Sequence, residues 1–193
     1  YIGHREAYPI IIKGLKRLEY RGYDSAGLVL STQNGFQLAK TKGKVVDLEE
    51  KASGLDKTPH IGIGHTRWAT HGIPNDVNSH PHMSNNNRLV LVHNGIIENY
   101  ESIKQLLIDK GYIFHSDTDT EVLVNFIQLF QDEKGLNLQG AVRTALNEVI
   151  GAYAIAVLDN QDPDTVVVGR LGSPLAIGIG ENEFFVASDA SPF

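Results

Sequence analysis

The chain contains no cysteine. It therefore has no disulfide framework, no thiolate zinc site and no thiol nucleophile. Positive charge is scarce too: 17 lysines and arginines stand against 23 acidic residues, a formal charge of −6. That excludes the basic face on which nucleic acid binds. No apolar run approaches the length of a membrane span, and Tyr1 opens no signal peptide. Internal repeats and low-complexity linkers are missing as well. The expectation these absences leave is a soluble, acidic, cytoplasmic domain with no nucleic-acid and no membrane partner.

What is present suffices for one domain of ordinary size: 193 residues, 41% hydrophobic, with 19 glycines that point to strands and tight turns. Ala7, Ile10, Ile11, Leu15 and Leu18 recur near a 3.6-residue period and predict a helix over 6–20, with Pro9 in its first turn and Gly22 as its stop. Segments 26–31 and 36–40 read as strands joined at Gln33-Asn34-Gly35, a strong hairpin signal. A short helix is expected over 44–52. Further helices are predicted over 99–110, with Ile103, Leu106 and Leu107 inward, and over 138–149. Between them lie a short strand over 112–115 and a helix opened by Thr118 and Glu121 at capping-box spacing, burying Val122, Leu123, Phe126, Ile127 and Phe130. Short strands over 152–158, 165–170, 174–179 and 183–187 follow, and the turns between them imply antiparallel pairing. The order predicts an α+β domain of two sheets and two helical layers.

The run that organises the chain is His65-Thr66-Arg67-Trp68-Ala69-Thr70-His71-Gly72, answered after a strand by His93-Asn94-Gly95. Between them the segment 73–82 is a polar loop, where functional sites concentrate. The framing runs 60–64 and 88–92 read as strands that deliver Arg67, Thr70, His71, Asn94 and Gly95 to neighbouring ends of one sheet.

Arg67 carries the planar fork that grips a carboxylate through two bonds. A surface arginine at a strand end is the plain alternative, and the only Trp of the chain directly after it weighs against that. Asn94-Gly95 is a turn dipeptide. It also interrupts an apolar run, where a glycine N–H beside an asparagine amide supplies the two donors that a tetrahedral oxyanion needs. Asp119 is either a first-turn acid favoured by the helix dipole or a ligand for an ammonium group. His80, His82 and His93 are conceivable metal ligands, but no helical histidine pair supports a metal site; hydrogen bonds that shape the loop fit them better. A metal site is therefore not expected. These residues describe a site for an amino acid whose carbonyl group is attacked. The attacking group is missing: no serine sits in a Gly-x-Ser-x-Gly elbow and no Ser-His-Asp set is evident.

Over its whole length the sequence resembles the glutaminase domains of the glucosamine-6-phosphate synthases (glutamine–fructose-6-phosphate aminotransferases, isomerising). The matching runs are 18–27, 65–72, 78–82, 92–99, 116–121, 151–153, 172–175 and 187–189, all in order. The resemblance implies a four-layer αββα sandwich of the N-terminal-nucleophile type, with two stacked, mainly antiparallel sheets. It implies glutaminase chemistry in which a chain-terminal cysteine attacks the side-chain amide of L-glutamine, giving L-glutamate and ammonia, without cofactor. In that family Cys-Gly-Ile-Val-Gly precedes the counterpart of Tyr1, so 1–193 is expected to be a glutaminase domain truncated at both ends. As written it should be inactive alone. The implied roles are Arg67 for the α-carboxylate with help from Thr70 and His71, Asp119 for the α-ammonium, and Asn94 with the Gly95 N–H as oxyanion hole. Trp68 would lie in a loop closing over glutamine, and Arg21 would stand behind the site. The isomerase domains of the same protein are the implied partners, with a homodimer when the chain is full length. Relatives of the phosphoribosylpyrophosphate amidotransferase and asparagine synthetase type, or a non-catalytic amino-acid-binding domain, are the alternatives. The Arg21-Gly22-Tyr23-Asp24-Ser25 and Trp68 to Gly72 runs favour the sugar enzyme.

Overall fold

The computed structural model describes residues 1–69 and 72–193. Helix α1 (Ala7–Leu18) closes in a 3₁₀ turn (Glu19–Arg21) and stops at Gly22, whose φ of +91° favours glycine. Strands β1 (Ser25–Thr32) and β2 (Gly35–Lys42) form the expected hairpin, with Thr32 paired to Gly35. Helix α2 (Val45–Lys51) packs against them through Val45 and Leu48. Strand β3 (Gly62–Arg67) pairs antiparallel with β1, completing a sheet ordered β2-β1-β3.

The second sheet is built from β4 (His82–Met83), β5 (Leu89–Ile97), β6 (Gly151–Asp159) and β7 (Asp162–Leu171), antiparallel and in that order. Helices α3 (Tyr100–Asp109), α4 (Asp119–Lys134) and α5 (Leu138–Glu148) cover its outer face. Strands β8 (Ala176–Gly180) and β9 (Glu183–Ala187) form a hairpin of their own. Among the described residues no helix is long and apolar enough to cross a membrane.

The two-residue alternation of strand side chains sorts the core into layers. Leu28 and Leu30 of β1 meet Ile11, Ile12 and Leu15 of α1. Val29 points the other way and joins Ile63, Val90, Val92, Ala156 and Leu158 between the sheets. Leu89, Leu91, Ile155 and Val157 face Leu123, Ile127 and Val142 of the outer helices. The result is the αββα sandwich. The alternation of isoleucine and glycine before Arg67 follows from it. Ile63 fills the layer between the sheets, while a Cβ at Gly64 would fall 2.6 Å from Cγ2 of Ile11. Bare glycine lets α1 settle directly onto β3.

Several sequence expectations are corrected. Arg67 and Asn94-Gly95 do not share a sheet: β3 belongs to one sheet and β5 to the other, stacked across the inner layer. Nor does Asn94-Gly95 break its strand. The β5–β6 ladder runs through it, pairing Asn94 with Ala154 and Gly95 with Tyr153. Segment 112–115 is extended but pairs with no strand, because the Ile113 N–H donates to Asn85 Oδ1 and the His115 N–H to Glu121. The box at Thr118 is half made. Thr118 accepts from the Glu121 N–H, while the Glu121 carboxylate caps His115 and Ser116. Leu106 is exposed rather than inward. The segment from Pro174 does not pair with β7, since the chain leaves that sheet after a bridge from Tyr153 to Gly172.

Candidate active site

One cavity of about 280 Å³ gathers the ends of three elements. β3 brings His65 and Arg67, β5 brings His93, Asn94 and Gly95, and the first turn of α4 brings Asp119. Arg21 and Trp68 also line it. Of the residues expected at a site, Thr70 and His71 lie outside the described residues; the others meet here.

Arg67 is 4% exposed. Burial lowers its pKa, and Asp24 and Asp119 draw it back up. Its Nη1 lies 3.8 Å from Asp24 Oδ1, and Nη2 donates to the Gly72 carbonyl at 3.2 Å. Asp24 anchors the whole turn. Its Oδ2 accepts from the Ala69 N–H, and its own N–H donates to the Arg67 carbonyl at 2.7 Å. Asp119 is equally buried. Its Oδ2 accepts from the Ile97 N–H at 2.8 Å, and Oδ1 lies 3.9 Å from His93 Nδ1. A buried cation and a buried anion on one cavity suit a zwitterionic head group.

Gly95 is required by close approach. Its φ is +125°, and a Cβ there would fall 2.0 Å from the Ala152 carbonyl oxygen. Trp68 is 69% exposed and lies over Gly22, where a Cβ would fall 2.5 Å from its Cζ3. Arg21 is tied to the chain after β9, through Ser188 and through Asp189 at 3.3 Å.

Behind the cavity the loop over 73–82 turns inward, and Asn78, Ser79, His80 and His82 are buried. The sequence pattern predicted a polar loop; hydrogen bonding allows it to bury. The His93 N–H donates to His80 Nδ1 at 3.4 Å, which leaves the His80 hydrogen on Nε2, 3.3 Å from Thr120 Oγ1. The Thr120 hydroxyl hydrogen is then available to His93 Nδ1 at 3.1 Å. His65 stacks on His80 with centroids 4.2 Å apart, and its Nε2 lies 2.6 Å from Asn94 Oδ1. Burial drives the His65 pKa down to about 4 and holds His80 and His82 well below the usual histidine range. Among the described residues no group of three or more His, Cys, Asp or Glu is arranged to hold a metal.

A second, more apolar groove adjoins this cavity at His65, Thr66, His93 and Asn94 and runs along β3 as far as Tyr1.

A sequence model of the glutamine amidotransferase domain matches residues 52–193. The chain belongs to the glutamine amidotransferase domain family. Glutamine–fructose-6-phosphate aminotransferases (isomerizing) resemble this amidotransferase domain over its full length. The protein of Bacteroides thetaiotaomicron is 58% identical over 193 residues, 100% of this chain and 31% of its own length. That of Chlorobaculum tepidum is 54% identical, again over 100% of this chain and 32% of its own. The chain thus spans about a third of the length of the curated relatives it matches. Among solved structures, glutamine phosphoribosylpyrophosphate amidotransferase from B. subtilis, complexed with ADP and GMP, superposes with a TM-score of 0.80 at 32% identity. The alignment covers 97% of this chain and 40% of that one. A structure described as the allosteric regulatory enzyme of purine biosynthesis gives 0.82 at 31% identity, over 97% and 40%. The amidotransferase domain therefore has the N-terminal-nucleophile αββα architecture.

Sequence reading gave Asp24, His65 and Thr120 no part in the site. Asp24 lies within the run that carries the family resemblance, and His65 opens the central motif; a nearby motif was the only signal they offered.

Proposed function

We propose that the intact protein hydrolyses L-glutamine to L-glutamate and ammonia, and that the ammonia converts fructose 6-phosphate to glucosamine 6-phosphate. The observation that carries this reading is that Arg67 and Asp119 are both buried and both line the cavity that holds Asn94 and Gly95. Arg67 takes the α-carboxylate, with Thr70 and His71, and Asp119 takes the α-ammonium through the oxygen that Ile97 does not use. The side-chain amide then lies towards Asn94 and the Gly95 N–H, which stabilise the oxyanion as the carbonyl is attacked. Trp68 closes over the bound amino acid, and Arg21 steadies the entrance from the Ser188 side.

The nucleophile is a chain-terminal cysteine ahead of Tyr1, its own amine acting as base. Backbone register supports this. Ile2 pairs antiparallel with Ile61, and the Gly62 N–H donates to the Tyr1 carbonyl at 3.1 Å. Continued backwards, each earlier residue advances one place along β3, through the apolar groove. The fifth residue before Tyr1 arrives opposite Arg67. That is the place of the cysteine in Cys-Gly-Ile-Val-Gly. The polypeptide 1–193 alone is then inactive, and the isomerase domains occupy the remaining two-thirds of a cytoplasmic, homodimeric protein.

Incubating the intact protein with L-glutamine and fructose 6-phosphate tests the reading. Glutamate and glucosamine 6-phosphate should form together, and replacing the first cysteine by alanine should stop both. Glutamate formation that survives the replacement would remove the proposed nucleophile.

A further inference from the structure

The geometry points to His65 as the positioning residue of the oxyanion donor: its Nε2–H grips Asn94 Oδ1 and so turns the amide N–H₂ of Asn94, rather than its oxygen, towards the substrate. This rests on the oxyanion reading of Asn94.

The two atoms lie 2.6 Å apart. A carboxamide oxygen has no hydrogen to give, so His65 Nε2 must be the donor. What keeps the hydrogen on Nε2 is the other side of the ring. Nδ1 is buried and has no hydrogen-bond partner among the described residues, so a hydrogen there would go unsatisfied. The reverse orientation of the Asn94 amide would set its N–H₂ against the Nε2–H, donor against donor. Relief would require moving the histidine hydrogen to Nδ1, which finds no hydrogen-bond partner among the described residues. The lack of a partner at Nδ1 therefore fixes the tautomer, and the tautomer fixes the amide.

The ring itself is clamped. His65 stacks on His80, interplanar angle 17°, and His80 is held by the His93 N–H and by Thr120 of α4. The His80 backbone is held too: its carbonyl lies so close to β1 that a Cβ at Gly27 would fall 1.9 Å from its oxygen. The Asn94 backbone is fixed opposite Ala154 in the β5–β6 ladder. With ring and backbone both held, the hydrogen bond selects between the two faces of the amide. A released amide would present its oxygen lone pairs to the developing oxyanion part of the time. The loss belongs to the transition state, because on the proposed reading the head group is held by Arg67 and Asp119 and not by Asn94.

The test compares His65→Met with His65→Gln in the intact protein, since these side chains match in length and differ in the N–H donor. H65M should lower kcat for glutamine hydrolysis by about 10- to 100-fold, with KM for glutamine and Kd for glutamate within about 2-fold. H65Q should recover most of the rate. In the H65M/N94A double variant kcat should equal that of N94A alone, because His65 acts through Asn94. Equal losses in H65M and H65Q, or losses that multiply in the double variant, would overturn the role of His65. A normal kcat in N94A would instead overturn the oxyanion reading beneath it. If H65M does not fold, His65→Phe, which keeps a ring for His80 and has no donor, takes its place under the same criteria.

Discussion

The carboxylate of Asp119 accepts a hydrogen bond from the Ile97 N–H at 2.8 Å, joining the first turn of α4 to the end of β5. The acid proposed to bind substrate therefore also satisfies a buried backbone donor. One oxygen serves the fold, and the residue also lines the cavity. The two duties are separable by mutation.

Asp119→Asn keeps an oxygen for Ile97 and removes the charge. It should fold normally and bind glutamate more weakly by about 1.5–3 kcal/mol, the range for hydrogen bonds to charged groups. Asp119→Ala should lose that affinity and also destabilise the fold by about 1–3 kcal/mol, through the orphaned Ile97 N–H. Calorimetric titration with glutamate and thermal melts of both variants decide the matter. An Asn variant with unchanged affinity would take Asp119 out of the binding site.

Asn94→Ala should act on rate and on stability together. Loss of one oxyanion donor should lower kcat by about 100- to 1,000-fold, with KM little altered. The His65 Nε2–H left behind should cost about 1–3 kcal/mol of stability. Steady-state glutaminase kinetics and denaturant melts on the same preparation measure both. A stability loss with kcat retained would reduce Asn94 to a structural residue.

Buried neutral histidines make the fold sensitive to acid. His65 titrates at about 4 in the folded state, from an ordinary 6.5, and His80 and His82 also lie well below that value. The unfolded chain thus takes up protons first as pH falls. The stability these groups contribute is complete above their unfolded pKa and is lost as pH drops from 6.5 towards their folded values. For His65 alone the loss is about 3 kcal/mol by pH 4. In the intact protein melting temperature should fall as pH drops from 6.5 towards 4, less steeply in His65→Phe. An identical slope in that variant would mean that other groups carry the acid response.

Gly27→Ala should be among the most damaging single methyl additions. The new Cβ would meet the His80 backbone oxygen at 1.9 Å, and backbone cannot swing aside as a side chain can. The expected outcome is a loss of about 1–3 kcal/mol or more and displacement of His80 from His65. Gly54→Ala, which meets nothing within 4 Å, is the control. Equal melting temperatures for the two variants would show that the loop over 73–82 is not held against β1.

Much of this molecule is legible from local pattern. The helices follow apolar residues at a 3.6-residue period, the first hairpin follows Asn34-Gly35, and the final strands follow their turns, because these elements are decided by neighbours in the chain. Four residues that line the candidate cavity are equally legible: Arg67, Asn94, Gly95 and Asp119 stand out in the sequence by chemical type. What remained for tertiary structure was partnership. Periodicity tells which face of a strand is buried but not which sheet it joins, so β3 and β5 could be assigned to one sheet when they stack in two. The same limit hid the histidines. Burying four imidazoles near one another is unfavourable unless each hydrogen-bonding nitrogen is matched or excluded from competition. Those matches, His65 with Asn94 and His80 with Thr120, join residues 29 and 40 positions apart. Only the stacking of two sheets under α4 brings them within reach.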